Sequence, residues 1–368
     1  MRVLHAGLGK KLSEGMLRQM LLEQKAANEL GIEWTSKVIT PDDLSILESF
    51  SIKEKQIADS VITSDTSISP GWLSVKRFFY SWLIKNQDNY DVIVLRYSMT
   101  DPYLPFFIKQ CKKPVFLVHH TFEVLEIKTL GGLKGRLRAV VESIIGQFSL
   151  RFATNLVGVT NEILQYEYNR ISKKSRHGYV YPNGYAIVDN QIVVDNRGET
   201  PTLLFVASQF HPWHGLDILL SSLNKVKTSF FLHLVGEITE IQKQQIKDDN
   251  RIIAHGRLRF DEIKEIASYC HVALSSFALQ RQGMSEACPL KVREYLAMGL
   301  PVYAGHQDCF PHTFPFFTNG PAEIRAIIDF ANEVSIVSRS DIAALAEPYI
   351  NKKYLLNNFY NWIKENIS

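Results

Sequence analysis

The chain has 368 residues, of which 46% are hydrophobic and 21% are charged. At roughly 150 residues per domain, this length predicts two domains, and the apolar content excludes a disordered or low-complexity protein. The net charge of +3 is too small to indicate a nucleic-acid-binding protein, although it suits an anionic ligand or a membrane surface.

The four cysteines, Cys111, Cys270, Cys288 and Cys309, are scattered and include no C-x-x-C pair. Neither a zinc site nor a disulfide framework is therefore predicted. The N-terminal segment lacks the roughly 7–15 apolar residues of a secretory signal, and no window reaches the roughly 18 of a spanning helix. We predict a cytoplasmic protein with, at most, peripheral contact at the inner face of the plasma membrane.

Along the first half, short β-branched or aliphatic runs alternate with helical patterns, which is typical of parallel α/β units. The first such unit is a strand at 1–4, a glycine-bearing turn through Gly7, Gly9 and Gly15, and a helix over 17–30. Further strands are predicted at 92–95, 115–118 and 156–159, and a strand at Val180 ends in the turn Pro182-Asn183-Gly184.

After a polar stretch at 189–200, a second set of strands is predicted at 203–207, 231–235, 252–254, 272–274 and 301–304. The fold class is therefore α/β, with two doubly wound, Rossmann-like domains at 1–192 and 193–348. Residues 349–368 form a predicted C-terminal helix that returns to pack on the first domain. Ligands of such sheets bind beyond the carboxyl ends of the strands, so we expect the site in the cleft between the domains.

Two glutamates flank a short predicted helix in the second half. Pro289 suits its first position, and Gly299 followed by Pro301 ends it. Glu286 then precedes the helix and Glu294 lies within it. The N-terminus of the helix favours phosphate, whereas the two carboxylates suit the hydroxyl groups of a sugar.

With these residues in order, the chain resembles the retaining family 4 glycosyltransferases of the GT-B fold, which has two facing Rossmann-like domains. The resemblance spans nearly the whole chain and is firmest over 156–304. Its matching segments are Glu286 and Glu294 followed by Gly299-x-Pro301-Val302, the strand-helix-strand pattern at 254–276, the turn Pro182-Asn183-Gly184, and the strand before it at 156–160.

The resemblance implies that Glu294 holds the ribose hydroxyls of a nucleoside-diphosphate sugar and that Glu286 holds the hydroxyls of the transferred sugar. The backbone N–H groups of Cys288 and Leu290 then approach the sugar and the diphosphate. Solvated helix-end charges are the structural alternative for both glutamates. No metal ion or other cofactor is expected.

The sequence departs from the family where an Arg and a Lys usually bind the diphosphate, since Ser208 and His214 stand there. Neutralisation could then rest on His214 as imidazolium, on Arg257, or on the helix N-terminus. A second alternative is that the enzyme uses a different kind of donor. A third is that His214 has only a structural role in its loop.

At the end of the strand that begins near Val115, alignment with the family places His120 beside the transferred sugar. His119 is the adjacent alternative, because only one of two neighbouring residues in a strand can face the site.

The turn that ends at Gly15 resembles the family's glycine-rich turn, although Met16 stands where a second glycine is common.

Two stretches, 72–85 and 130–151, mix basic and apolar residues. This composition predicts amphipathic helices that suit an anionic lipid surface. Buried helices with a basic edge are the alternative.

The function predicted from the resemblance is retaining transfer of a sugar from a nucleotide sugar to a glycan or lipid-linked acceptor, in bacterial-type surface polysaccharide synthesis. The alternatives are a non-catalytic GT-B scaffold that binds a nucleotide sugar or a partner enzyme, a sugar phosphorylase, and a bilobed solute-binding protein, which would need export.

Overall fold

The computed structural model describes residues 1–9, 13–41, 47, 50, 52–64, 71–129, 131–171, 178–187, 191–223 and 228–367. The chain divides into two compact units, Met1–Gly184 with Lys352–Ser368, and Tyr185–Asn351. The first unit thus ends at 184, eight residues before the boundary that the sequence suggested. The C-terminal segment that joins it begins at 352 rather than at 349.

The first unit is built on a seven-stranded parallel sheet in the order β3-β2-β1-β4-β5-β6-β7, counted over the described residues. Its strands are β1 Val3–Leu8, β2 Trp34–Thr40, β3 Ile62–Ser64, β4 Val92–Arg96, β5 Val115–His119, β6 Asn155–Gly158 and β7 Tyr179–Val180. Its helices are α1 Glu14–Leu30, α2 Ile52–Val61, α3 Trp72–Asn86, α4 Leu104–Gln110, α5 Glu123–Thr129, α6 Gly132–Phe152 and α7 Asn161–Ile171.

The start of the first unit differs from the sequence prediction. Strand β1 continues through Gly7, and α1 begins at Glu14 because the Ser13 hydroxyl caps it by accepting the N–H of Met16 at 3.3 Å. Gly15 therefore lies in the first turn of a helix instead of a loop. Residues 10–12 of the predicted glycine-rich turn lie outside the described residues.

The second unit contains a six-stranded parallel sheet in the order β10-β9-β8-β11-β12-β13 over the described residues. Its strands are β8 Thr202–Gln209, β9 Phe231–Glu237, β10 Ile252–Gly256, β11 Val272–Leu274, β12 Val302–Ala304 and β13 Phe317–Asn319. Its helices are α8 Leu216–Ser222, α9 Glu240–Ile246, α10 Phe260–Tyr269, α11 Leu290–Ala297, α12 Ile324–Val334 and α13 Arg339–Ile350.

The last helix, α14 Lys352–Glu365, packs on the first unit. Phe359 lies 5.8 Å from Trp34 and 4.6 Å from Tyr181 between ring centroids. These aromatic contacts cover one face of the first sheet, whose other face packs on α3, α4 and α7. Both faces of the sheet are thus buried, as expected for parallel strands.

Candidate active site

In each sheet the strand order reverses beside the first strand, between β1 and β4 in one unit and between β8 and β11 in the other. Such a switch point opens a crevice at the carboxyl ends of the strands. In the second unit the loops after β8 and β11 are joined there, since the N–H of Phe277 donates to the His214 carbonyl at 2.9 Å. Gly215, with φ +70°, makes this possible because a side chain would lie 2.9 Å from the Phe277 Cβ.

Helix α11 begins at this crevice, with Pro289 as its N-cap and Gly299 after its end at φ +78°. The helix is fixed to β8 by the Tyr295 hydroxyl, which accepts the N–H of Val206 at 3.2 Å. On its other side Arg293 forms a fully buried bidentate ion pair with Asp308, at 2.5 Å for each contact. The N-terminus of α11 is therefore held rigidly against the carboxyl ends of the strands.

The predicted carboxylates lie around this N-terminus. Glu286 precedes the helix in a segment that forms an isolated parallel bridge with Gln307, after β12. Glu294 lies on the helix, and both glutamates are partly exposed. Leu290 is the first helical residue, so its N–H has no acceptor within the helix. Cys288, just upstream, has a buried side chain.

Ser208 and His214 both follow the buried part of β8. Ser208 is exposed near the end of the strand, and His214 is partly buried in a single 3₁₀ turn. The His214 Nδ1 accepts the N–H of His211 at 2.9 Å, which leaves Nε2–H as the free donor. Burial, together with the nearby Lys291, lowers the pKa of His214 to about 3. Without a ligand, His214 is therefore a neutral imidazole at neutral pH, which argues against its role as an imidazolium.

Sequence reasoning missed Lys291, which lies in the first turn of α11. Its Nζ lies 3.4 Å from the Val206 carbonyl and 5.2 Å from the centre of the Phe205 ring. Among the described residues it forms no ion pair with a carboxylate, and burial lowers its pKa to about 7. A lysine at a helix N-terminus opposes the helix dipole, so an anionic ligand is the natural partner for its charge. The signal was available in the sequence, between Glu286 and Glu294.

The strand order does not bring Arg257 close to Ser208 and His214. It follows β10, at the edge of the sheet and two strands from β8. Its side chain is 69% exposed and forms an ion pair with Glu237 at 2.9 Å. The guanidinium charge is therefore already matched by a carboxylate.

In the first unit the two adjacent histidines have different surroundings. His119 is fully buried, stacks on Tyr97 at 4.4 Å, and its Nδ1 lies 2.8 Å from Glu123. Burial lowers the pKa of His119 to about 4 and raises that of Glu123 to about 7, so one proton is shared in a hydrogen bond between a neutral ring and this carboxyl group. His120 is partly exposed, and the Nε2 atoms of both histidines are buried without a hydrogen-bond partner among the described residues. The contacts of His119 with Glu123 and Tyr97 favour His120 as the residue that meets a ligand.

Gly15, the remaining predicted site residue, lies in the first turn of α1 near the carboxyl end of β1.

The two basic stretches predicted as amphipathic helices, α3 and α6, differ in how far their apolar residues are buried. Most apolar residues of α3 are buried or partly buried, and Lys76 lies buried 3.4 Å from Asp101. In α6, by contrast, five large apolar side chains are exposed.

A cavity of about 570 Å³ in the second unit lies elsewhere. It is lined by Thr202 and Phe231, the first residues of β8 and β9, and by Tyr269. These residues mark the amino ends of the strands, opposite the residues described above. The cavity is therefore separate from the candidate site.

Comparison with known proteins identifies the domain that carries these residues. Residues 200–313 match the family described as glycosyl transferases group 1. This part of the chain is thus similar to the glycosyl transferases group 1. The match includes Ser208, His214, Glu286 and Lys291. No curated protein matches the sequence at a significant level.

Solved structures extend the likeness over both units. A glycosyltransferase from Rickettsia africae is 15% identical, with a TM-score of 0.69 that covers 100% of this chain and 99% of that one. The lipopolysaccharide outer core galactosyltransferase WaaB is 14% identical, with a TM-score of 0.64 and 99% of each chain covered. HepE from Anabaena, solved with UDP and glucose, is 15% identical, with a TM-score of 0.62 and coverage of 99% and 100%. The fold is therefore GT-B, with two Rossmann-like domains, as the sequence predicted. No helix within the described ranges is long and apolar enough to cross a membrane.

Proposed function

We propose that this chain is a retaining glycosyltransferase of family 4 that moves a sugar from a nucleoside-diphosphate sugar to a hydroxyl of a glycan or lipid-linked acceptor. The observation that carries the proposal is the N-terminus of α11, which lies at the switch point of a domain similar to group 1. Glu286 precedes this helix, and Lys291 and Glu294 lie in its first two turns. HepE, which has the same fold, was solved with UDP-glucose.

In this proposal the diphosphate binds at the start of α11. The cation that Ser208 and His214 do not supply comes from Lys291, whose charge no described carboxylate matches. The N–H groups of Cys288 and Leu290, the Ser208 hydroxyl and the Nε2–H of His214 add neutral hydrogen bonds. Glu294 accepts from the ribose hydroxyls and Glu286 from those of the sugar. The 69% exposed Arg257 is left out of the donor site because Glu237 already pairs with it.

The reaction follows from these contacts. The bond between the anomeric carbon and the diphosphate oxygen breaks, and the electron pair leaves with the diphosphate. Fixed donors that face the developing negative charge lower this barrier. The acceptor oxygen then bonds to the same face of the sugar and passes its proton to the leaving diphosphate, so that configuration is retained. In this scheme His120, whose ring is neutral, and Gly15 are the residues of the first unit that we propose contact the sugar.

The first unit also carries a surface suited to membrane contact. The apolar stripe of α6 consists of exposed side chains at i, i+4, i+7, i+11 and i+15: Leu133 (84%), Leu137 (64%), Val140 (57%), Ile144 (56%) and Phe148 (47%). Exposed Lys134, Arg136, Arg138 and Arg151 flank it. An apolar stripe with basic flanks is complementary to an anionic lipid surface. This surface supports our proposal that the acceptor is lipid-linked and is used at the inner face of the membrane, in surface polysaccharide synthesis.

The test is incubation of the purified chain with a panel of nucleotide sugars, with donor hydrolysis and transfer to alkyl glycosides as readouts. We expect one donor to be turned over and the product to keep the anomeric configuration by NMR. Glu294→Ala should abolish donor binding, whereas Glu240→Ala, at an exposed position of α9, should behave as wild type. An inverted product would refute retention.

Turnover should also persist in a chelator, because Lys291 and helix N–H groups neutralise the diphosphate in this scheme. Loss of activity in the chelator would contradict it. Nucleotide binding without turnover would instead favour a scaffold, which the uncharged Ser208 and His214 would then explain.

A further inference from the structure

The switch point of the first sheet holds an arginine that the reaction above does not use. Arg96 is the last residue of β4, whose neighbours are β1 and β5. Gly7 lies on β1, and His120 directly follows β5. All three residues are therefore at the carboxyl edge, where doubly wound sheets bind their ligands.

Arg96 has no partner for its charge. It is partly buried, yet among the described residues its guanidinium makes no hydrogen bond and no ion pair. Burial lowers the pKa of Arg96 to about 10, so the group remains charged at neutral pH. A guanidinium carries five N–H donors, and none of those of Arg96 is among the buried unsatisfied atoms, so they face solvent. They are therefore open to the oxygens of an incoming anion.

The one carboxylate that acts on Arg96 is already engaged. Glu23 lies 2.6 Å from the His5 Nδ1 and 3.6 Å from the Lys352 Nζ. Arg96 and Lys352 thus supply two positive charges beside a single carboxylate. This corner of the first unit has a surplus of positive charge before any ligand binds.

The stem of Arg96 packs against β1. A side chain at Gly7 would lie 3.5 Å from the Arg96 Cβ and 3.6 Å from its Cδ, so the arginine stem lies directly against the β1 backbone. The Cε of Met16 is only 2.6 Å from the same point, so Met16 also lies against this part of β1. The guanidinium therefore starts from the carboxyl edge of the sheet.

We infer that Arg96 forms an oxyanion site in the first unit, which binds a phosphate or carboxylate group carried by the acceptor. The inference rests on the proposed function, because Lys291 and α11 already serve the donor diphosphate in the second unit. The planar guanidinium matches two oxygens of either anion at once, which gives orientation as well as affinity. The acceptor would then be an anionic glycan or a glycan phosphate.

The first arm of the test measures binding without turnover. Titrations of inorganic phosphate and of glucuronate are run on the full chain carrying Lys291→Met, which removes the donor-site cation. We expect one phosphate or glucuronate site per chain. Adding Arg96→Met should weaken it at least tenfold, and Arg96→Lys should weaken it less. The exposed Arg77→Met is the matched control and should leave binding unchanged.

The second arm compares alkyl sugar phosphates and alkyl glucuronides with uncharged alkyl glycosides as acceptors. The wild type should prefer one anionic class, and Arg96→Met should reduce that preference at least tenfold. Equal use of charged and neutral acceptors by the wild type, or phosphate binding that ignores Arg96, would overturn the inference. Failure of the proposed function looks different, since no nucleotide sugar would then be bound or hydrolysed while the anion titration still reports on Arg96.

Discussion

Replacing Lys291 with methionine should make the unliganded protein more stable and, at the same time, destroy donor binding. Methionine keeps the length of the side chain but removes a charge that no described carboxylate matches. Burial lowers the pKa of Lys291 from 10.5 to about 7. At 1.36 kcal/mol per pKa unit, the wild-type lysine costs of order 1–4 kcal/mol of stability at pH 7. For a unit of this size we expect a rise in Tm of roughly 3–10 °C.

The sign of the pH dependence follows from the lowered pKa. Above about pH 10.5 the lysine is neutral in both the folded and the unfolded state, so wild type and Lys291→Met should be equally stable on this account. As the pH falls from 10.5 to 7 the unfolded chain gains a proton that the folded chain resists. The advantage of the variant should therefore grow over this range and stay constant below pH 7.

Thermal unfolding between pH 6 and 10.5 measures this gap, with the exposed Lys247→Met as the matched control. Donor titrations on the same samples should show wild-type affinity falling by up to tenfold per pH unit above pH 7, because the bound diphosphate needs the charged lysine. Lys291→Met should bind weakly at every pH. A variant that is less stable than wild type at pH 7, or that binds donor normally, would refute the reasoning.

The remaining predictions concern the membrane surface and the support of α11. The double variant Leu137→Asp/Ile144→Asp, changed at two exposed positions of α6, should abolish sedimentation with anionic vesicles but leave Tm unchanged. The control Leu345→Asp, at an exposed position of the second unit, should sediment as wild type does. Equal sedimentation of all three proteins would remove the membrane surface from the account. Asp308→Ala should lower the free energy of unfolding by about 3–5 kcal/mol, measured by denaturant titration, because it leaves the buried Arg293 unpaired. A loss below 1 kcal/mol would contradict the role of this ion pair in fixing the helix.

The sequence predicted the parts of the fold whose signals are local. Continuous apolar runs such as those of β5 and β8 are buried on both faces, so their composition alone marks them. It missed β2, where buried Ser36 and Thr40 interrupt the apolar pattern, and the three-residue strands β3 and β13. Those strands exist because neighbouring strands provide hydrogen-bonding partners, which a local pattern does not contain.

The candidate site shows the same division. The two glutamates were found by their spacing, and the bounds of the helix that contains Glu294 by Pro289 and Gly299. The charge state of His214 could not be predicted from the sequence, since it depends on burial and on Lys291 from another element. Arg96 was missed for a similar reason, because only the strand order reveals that it ends a strand at the switch point.

The central claim is that the N-terminus of α11 binds a nucleoside-diphosphate sugar. The most direct measurement is thermal stabilisation of the full chain by a panel of nucleotide sugars, for wild type, Glu294→Ala and the exposed control Glu240→Ala. We predict that one donor at about 100 times its Kd stabilises wild type and the control by about 2.7 kcal/mol, and Glu294→Ala by almost nothing. Stabilisation of all three proteins alike, or of none by any nucleotide sugar, would contradict the claim.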